Sequence, residues 1–145
     1  MVDIVDYDLD RQIGYLLRRA YQRHTTIFQH EIPDDRLTSA QFATMITIHR
    51  LEAAPLVQIS AMAGIDHATL RDIVTRLRKR GLLDVIQDRQ DRRQRIVSLT
   101  AEGRMLVENT IPSAIEVTER TLAPLDMCER VAALHILSKL AFSEE

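Results

Sequence analysis

Apolar residues recur every three or four positions along most of the chain, which is the spacing of an amphipathic α-helix. The first such stripe covers residues 9–28 and carries His24 among its apolar members. A second helix follows it, because Thr38 and Gln41 have the spacing of a capping box and the next inward stripe ends at His49. The first third of the chain is therefore predicted to form two helices.

Two shorter helical segments flank a glycine in the middle of the chain. Gly64 suits the left-handed position after a helix over residues 56–63, and Asp66 suits the N-cap of a helix that Gly81 stops. Two helices joined by a three-residue turn with glycine form a helix-turn-helix, whose second helix reads the major groove of DNA. The outward face predicted to contact DNA consists of His67, Ala68, Thr69, Arg71, Asp72, Thr75, Arg76 and Lys79.

A β-hairpin is predicted directly after this recognition helix. Two short strands, residues 85–87 and 95–99, flank an arginine-rich tip at residues 88–93, and such a hairpin is a wing. Arginine suits a narrow minor groove, whose negative potential favours a compact planar cation. We expect Asp88 and Asp91 to hold the arginines by charge-assisted hydrogen bonds. The tip residues predicted to contact DNA are Arg89, Gln90, Arg92 and Arg93.

Two more helices are predicted after the wing, one from the Thr100 cap to about residue 123 and one over residues 126–142. Their apolar stripes and that of the first helix have no partner in the chain except each other. We therefore expect these stripes to be buried against a second copy of the chain in a dimer. The residues predicted to face inward on the last helix are Val131, Leu134, Leu137, Leu140 and Ala141.

The fold class predicted is mainly α. It is a winged helix-turn-helix with a two-stranded wing at residues 37–99, joined to an α-helical dimerisation region built from both chain ends, residues 1–36 and 100–145. A two-fold dimer presents two recognition helices about one DNA turn apart, so the target is expected to be a pseudo-palindrome.

Charge supports a polyanionic partner although the net charge is −2. Residues 66–95 hold nine basic and five acidic side chains, a net of +4, which leaves the other residues at −6. The single cysteine excludes an internal disulfide. The single cysteine, together with the lack of a signal peptide and of a long apolar run, indicates a cytoplasmic protein without membrane contact. No string typical of an enzyme active site occurs, so catalysis is not expected.

Three strings make the interpretation specific. Residues 77–83 read LRKRGLL, residues 88–93 read DRQDRR and residues 97–103 read VSLTAEG. At this spacing the chain resembles the MarR family of bacterial winged-helix regulators, whose usual strings are L-x-x-x-G-L, D-x-R-D-x-R and L-T-x-x-G. The resemblance covers nearly the whole chain. It implies a homodimeric repressor that binds double-stranded DNA.

One wing position departs from the family pattern. Gln90 stands where the family usually has an arginine, and the resemblance assigns minor-groove contact to that arginine. Either Arg89 or Arg92 substitutes for it, or this wing binds DNA less tightly.

The control of DNA binding is predicted from His24 and His49, which fall on inward stripes of the first two helices near the junction of the dimerisation region and the winged domain. A histidine on an apolar face is commonly a hydrogen-bonded core residue, and that interpretation stays open for both histidines here. Alternatively, imidazole, phenol and guanidinium groups in an apolar crevice suit a small aromatic carboxylate. The resemblance implies such a cleft, since many members release DNA on binding phenolic or aromatic acids. The residues predicted to bind this effector are Tyr15, Arg18, Arg19, His24 and His49.

Three alternatives remain. A metal sensor would draw on His24, His30, Glu31 and His49, which lack the tight spacing of a zinc motif, so no metal or cofactor is expected. A redox sensor would use Cys128 near the start of the last helix, although peroxide-sensing relatives carry their cysteine near the N-terminus. A helical adaptor that binds protein would be favoured by an acidic recognition face, which this chain lacks.

Overall fold

The computed structural model describes Met1 and residues 4–144 as a mainly helical chain with one small antiparallel sheet. Two short 3-10 turns, Ile4–Asp6 and Leu9–Arg11, precede the first α-helix. The elements that follow are α1 (Ile13–Glu31), α2 (Ser39–Leu51), β1 (Ala53–Pro55), α3 (Leu56–Ala63), α4 (His67–Lys79), β2 (Leu83–Gln87), β3 (Arg95–Leu99), α5 (Ala101–Thr121) and α6 (Met127–Phe142).

The first helix begins four residues later than its apolar stripe predicts. Asp8 accepts a hydrogen bond from the backbone N–H of Asp10 and caps a separate 3-10 turn, and Gln12 is extended. The start predicted at Leu9 is therefore wrong, because a local cap interrupts a pattern that is otherwise helical. The C-terminal end lies at Glu31, before the proline.

The capping box predicted for α2 is confirmed. The Thr38 hydroxyl accepts from the Gln41 backbone N–H at 3.1 Å, and the Gln41 side chain accepts from the Thr38 backbone N–H at 3.1 Å. After Glu52, at φ +63°, the chain enters β1, which the sequence did not predict as a strand. The sheet therefore has three strands in the order β1-β3-β2, although the wing itself is the two-stranded β2–β3 hairpin that was predicted.

One apolar core joins the helix-turn-helix to the sheet and to the long α5 helix. Its fully buried members come from α2, α3, α4, β1, β3 and α5 and from Leu37 just before α2, so these elements support one another. α4 contributes its predicted inward face, and all of that face is buried. The largest fully buried side chains include Leu37, Met45, Ile48, Ile59, Leu70, Leu77, Val97 and Val107.

The last helix has no buried residue within the chain. Its predicted inward positions are exposed, Val131 to 67% and Leu134 to 55%, so they do not point into this chain's own core. Most of the apolar stripe of α1 is exposed as well, and only Phe28 at its C-terminal end is buried. Both chain ends therefore present apolar faces that no described residue covers.

The end of α4 is tied to the start of α5. Gly81, at φ +75°, stops the recognition helix, and its carbonyl accepts a hydrogen bond from the Thr100 hydroxyl at 2.7 Å. The Thr100 backbone N–H donates to the Leu82 carbonyl at 3.1 Å, and the same hydroxyl accepts from Gly103 N–H as the N-cap of α5. A side chain at Gly103 would place its Cβ 2.1 Å from the Leu82 oxygen, so only glycine permits this approach.

Candidate DNA interface and effector cavity

The recognition helix α4 is amphipathic, and its geometry follows the local sequence. Asp66 caps it by accepting from Thr69 N–H at 3.1 Å, and Gly64 at φ +66° makes the turn that precedes it. Every residue predicted for its outward face is exposed. The helix therefore presents a polar surface on a buried apolar base, as entry into a major groove requires.

Two residues of this outward face are already paired with each other. The Arg76 Nε atom lies 3.0 Å from a carboxylate oxygen of Asp72, one helical turn away. Thr75 donates its hydroxyl proton to the Arg71 carbonyl at 2.8 Å, so the Thr75 side chain offers DNA an acceptor oxygen and a methyl group. Among the described residues, the ion pairs do not include Arg71. Its guanidinium is therefore available for a base or a phosphate.

A groove of about 680 Å³ separates α4 from the wing hairpin. Valines of α4, β2 and β3 form part of its apolar lining, and cationic side chains line it as well. Arg78 and Arg95 were not among the predicted contacts, although both had been counted in the basic segment. The basic residues that line this groove are Arg71, Arg78, Lys79, Arg93 and Arg95.

The aspartates of the wing tip do not hold its arginines, so that prediction is wrong. Asp88 accepts from the Gln90 backbone N–H at 3.0 Å, and Asp91 accepts from the Arg93 backbone N–H at 3.0 Å. Short carboxylates reach the backbone two residues on more readily than a distant guanidinium. Within the described residues no ion pair involves an arginine of the tip, so these charges are not neutralised.

A second, smaller cavity of about 260 Å³ lies where α1 and α5 meet the first turns of α2. Three of its lining residues have polar side chains, namely His24 with its imidazole and Ser39 and Thr118 with their hydroxyls. The remaining lining is apolar and includes two phenylalanines whose ring centroids are 5.8 Å apart. The lining residues are His24, Phe28, Ser39, Phe42, Ala43, Ile46, Ala114, Val117 and Thr118.

His24 is half-buried and fixed in place from both sides. Its Nδ1 atom lies 3.0 Å from the Thr121 hydroxyl oxygen, and its ring stacks on Tyr21 with centroids 6.1 Å apart. The neighbouring Arg23 donates to the carbonyls of Thr121 at 2.6 Å and Arg120 at 3.0 Å, which anchors the end of α5 on α1. Burial lowers the pKa of His24, so the neutral ring is favoured near pH 7.

The other residues predicted for the effector lie outside this cavity in the single chain. His49 is half-buried one turn beyond the last cavity residue of α2, Ile46. Tyr15 is half-buried, and Arg18 and Arg19 are exposed, on the N-terminal half of α1. The structure therefore brings only His24 of the predicted set to the cavity.

The groups considered for metal or redox sensing are also placed. Among Met1 and residues 4–144, no three His, Cys, Asp or Glu side chains are grouped as a metal site would need. Cys128 is exposed in the first turn of α6. In the same part of the chain, no helix is both long and apolar enough to span a membrane.

Comparison with known proteins identifies the family. The MarR family model matches residues 37–94, which contain the helix-turn-helix and most of the wing. The chain is 40% identical over 144 residues to the HTH-type transcriptional repressor NicR of Pseudomonas putida, covering 99% of this chain and 91% of NicR. The chain belongs to the MarR family. It is thus a winged-helix, DNA-binding transcriptional repressor, and MarR proteins are regulators, not enzymes.

Solved structures of MarR-family regulators share the fold over almost the whole chain. BpsR of Bordetella bronchiseptica, described for the regulation of its DNA binding by 6-hydroxynicotinic acid, superposes with a TM-score of 0.88 at 42% identity over 94% of this chain and 98% of BpsR. PcaV of Streptomyces coelicolor, in complex with its natural ligand, gives a TM-score of 0.85 at 27% identity over the full length of both chains.

Proposed function

We propose that this MarR protein is a homodimeric repressor that binds a pseudo-palindromic operator and leaves it when a small hydroxylated aromatic acid binds. The observation that carries the proposal is the basic groove between α4 and the wing on a chain whose net charge is −2. A negatively charged protein is repelled by DNA, so concentrated positive charge is needed at the contact. An operator in DNA as the target also fits the cytoplasmic location expected from the sequence.

The proposed DNA contacts are the residues predicted from the sequence, with Arg78 and Arg95 added because they line the groove. α4 enters the major groove and reads base edges, and the wing places Arg89 or Arg92 near the minor groove. We assign residues 37–99 to DNA binding and residues 1–36 and 100–145 to dimerisation.

The exposed apolar faces at both chain ends support the dimer. Leu16 and Leu17 of α1 and Leu134 and Leu137 of α6 are between 40% and 55% exposed, and apolar patches of this kind mark association surfaces. A two-fold axis through them would set the recognition helices about 34–36 Å apart, the spacing of successive major grooves on one face of DNA. Sedimentation equilibrium at micromolar concentration tests this step, and a monomer would contradict it.

The cavity at His24 is the proposed effector site. Its volume of about 260 Å³ lies just below the range of about 300–1,000 Å³ usual for ligand pockets, and it suits a ligand with a single aromatic ring. BpsR, at 42% identity, is regulated by 6-hydroxynicotinic acid, so a hydroxylated aromatic acid of that kind is the proposed effector class. Tyr15, Arg18, Arg19 and His49 remain proposed contacts that depend on the dimer.

The test measures operator binding by fluorescence anisotropy with and without 6-hydroxynicotinic acid. DNA from the region upstream of the gene serves as the probe, and random DNA of equal length is the control. A loss of about 100-fold in operator affinity corresponds to a coupling free energy of about 2.7 kcal/mol, within the usual allosteric range. Equal binding to both DNAs would contradict sequence-specific recognition. An unchanged operator affinity would contradict the proposed effector class.

A further inference from the structure

The hydrogen bond between His24 and Thr121 determines which imidazole nitrogen carries a proton. The Thr121 hydroxyl lies 2.7 Å from the Val117 carbonyl, which can only accept, so the hydroxyl gives its single proton there. Its oxygen must then accept from the other neighbour, the His24 Nδ1 atom at 3.0 Å. The neutral ring therefore carries its proton on Nδ1, and Nε2 keeps its lone pair.

Thr121 is hydrogen-bonded to Nδ1, so the lone pair on Nε2 stays free of that contact. His24 is one of the residues that line the cavity, and its Nδ1 atom is engaged by Thr121 of α5, so Nε2 is the ring nitrogen left for a ligand. The lowered pKa of His24 keeps this ring neutral near pH 7. A neutral ring in this tautomer can only accept a hydrogen bond at Nε2, and an ionised carboxylate placed there would face a lone pair.

We propose that His24 recognises the hydroxyl end of the effector, not its carboxylate, by accepting a hydrogen bond at Nε2. The inference rests on the proposed function, because it takes the cavity to be the effector site. In 6-hydroxynicotinic acid the proton of the hydroxyl group can also reside on the adjacent ring nitrogen, and both forms present a donor. Thr121 is a positioning residue in this scheme, since it acts only through the tautomer of His24.

The carboxylate of the effector then needs another partner. His24 is the only titratable side chain among the described residues that line the cavity, so no cation of this chain meets the acid there. The hydroxyls of Ser39 and Thr118 remain as polar groups of the lining, and both can donate a hydrogen bond. The ligand is thus expected to lie with its donor toward α1 and its carboxylate toward one of these hydroxyls, or toward Arg18 or Arg19, the proposed contacts that depend on the dimer.

Pairs of acids that differ by one hydroxyl test directly whether His24 accepts a hydrogen bond from the hydroxyl end of the effector. The affinities of 6-hydroxynicotinic and nicotinic acid, and of 4-hydroxybenzoic and benzoic acid, are determined by calorimetry on the full-length dimer. The hydroxylated acid of each pair is expected to bind about tenfold more tightly, because its analogue leaves Nε2 unpaired. If both acids of each pair bind equally, this inference is overturned while the effector class stands. If none of the four acids binds, the proposed effector function fails, and the proposed recognition of the hydroxyl group fails with it.

Thr121→Val is the decisive variant, because valine keeps the shape of threonine and removes the acceptor for Nδ1. The ring can then carry its proton on Nε2, so the preference for the hydroxylated acid should fall to about onefold. Thr121→Ser retains the hydroxyl and should restore the preference. Thermal unfolding and operator affinity without effector show whether each variant keeps its fold. A preference that Thr121→Val leaves intact would overturn the role of Thr121.

Nitrogen-15 NMR of the histidine rings tests the tautomer without any ligand. In the wild type the His24 signals, assigned by comparison with His24→Gln, should show a protonated Nδ1 and an unprotonated Nε2. Thr121→Val should move these signals toward the other tautomer, and Thr121→Ser should not. A wild-type ring protonated on Nε2 would overturn the inference whatever the acids do.

Discussion

Arg80, the residue that follows the recognition helix, is ion-paired with Asp34 of the loop between α1 and α2. Both side chains are largely shielded from solvent, with 20% and 18% of their surface exposed. The Nη1 atom of Arg80 is buried without a hydrogen-bond partner among the described residues. The pair links the end of α4, the proposed recognition helix, to the loop after α1, and each of the two shielded charges has the other as its partner.

Replacing Asp34 by asparagine should destabilise the protein and change its response to acid. Burial alone would raise the pKa of Asp34, but hydrogen bonds from Arg80 and from the Arg36 backbone N–H, with the charges of both arginines, hold this pKa below its ordinary value. The folded state therefore binds that proton less tightly than the unfolded state. The resulting stabilisation is present above the ordinary pKa of about 3.9 and is lost as the pH falls through the lower folded-state value.

Urea unfolding of the Asp34→Asn variant measures this effect. The free energy of unfolding should fall by about 1–3 kcal/mol at pH 7, the cost of leaving a shielded cation without its partner. The difference from wild type should shrink at more acidic pH. Asp35→Asn is the matched control, since Asp35 is exposed and its carboxylate makes no ion pair within the described residues. Equal losses in the two variants would contradict the role of the pair.

Arg71→Ala should relax operator preference. A bidentate arginine–guanine contact is worth about 1–3 kcal/mol at a single base pair, so the variant should lose that discrimination and little of its binding to random DNA. Competition among operators with single base-pair changes measures this. Lys79→Ala is the comparison variant, because a phosphate contact is lost on every sequence alike. If Arg71→Ala weakens operator and random DNA equally, Arg71 binds phosphate only.

The wing arginines should contribute to the salt dependence of DNA binding. Because the tip aspartates bind backbone N–H groups, the arginine charges remain available to phosphates. Removing Arg92 should lower the slope of log affinity against log salt by about 0.9 if it neutralises one phosphate. Gln90→Ala should leave the slope unchanged, and Gln90→Arg should strengthen binding. No gain from Gln90→Arg would indicate that this part of the tip does not touch DNA.

Gly103→Ala should destabilise the protein, and Gly14→Ala should not. The Cβ added at residue 103 would lie 2.1 Å from the Leu82 backbone oxygen, so α5 must shift, at a cost of about 1–3 kcal/mol or more. At Gly14 an added Cβ would meet no described atom of the chain within 4 Å beyond its chain neighbours and its own helix backbone, and alanine is the better helix former by about 0.5–1 kcal/mol. Thermal unfolding of both variants checks the contrast. A tolerated alanine at residue 103 would contradict the close approach.

The sequence predicts features whose cause is local. Thr38 with Gln41, and Asp66 with Gly64, satisfy backbone groups of their own helix ends, so their residue types reveal their roles. β1 has no such signal, because Ala53–Pro55 becomes a strand only by pairing with β3, more than forty residues away. Its hydrogen bonds depend on tertiary contacts that no local pattern records.

The proposed effector cavity was predicted only in part, for a related reason. Helical periodicity identifies the face on which a residue lies and not its height along the axis. His24 and His49 share inward stripes, but packing of α1 on α5 and α2 places the cavity at His24 and leaves His49 one turn beyond Ile46. Thr121 was missed altogether, because its role arises from a contact 97 residues away in the chain.

The hydrogen bonds of Thr100 to Gly81 and Leu82 fix the C-terminal end of the recognition helix α4, so a tilt of this helix would pivot about that end. The helix has 13 residues and is about 20 Å long, so a tilt of about 10° at the junction carries its first turn through about 3 Å. Lys79, next to the pivot, hardly moves, whereas His67 and Ala68 travel farthest. A tilt imposed through α5 would thus disengage the proposed base contacts before the proposed phosphate contact of Lys79. The protein would therefore lose sequence-specific recognition of its operator sooner than it loses general affinity for DNA.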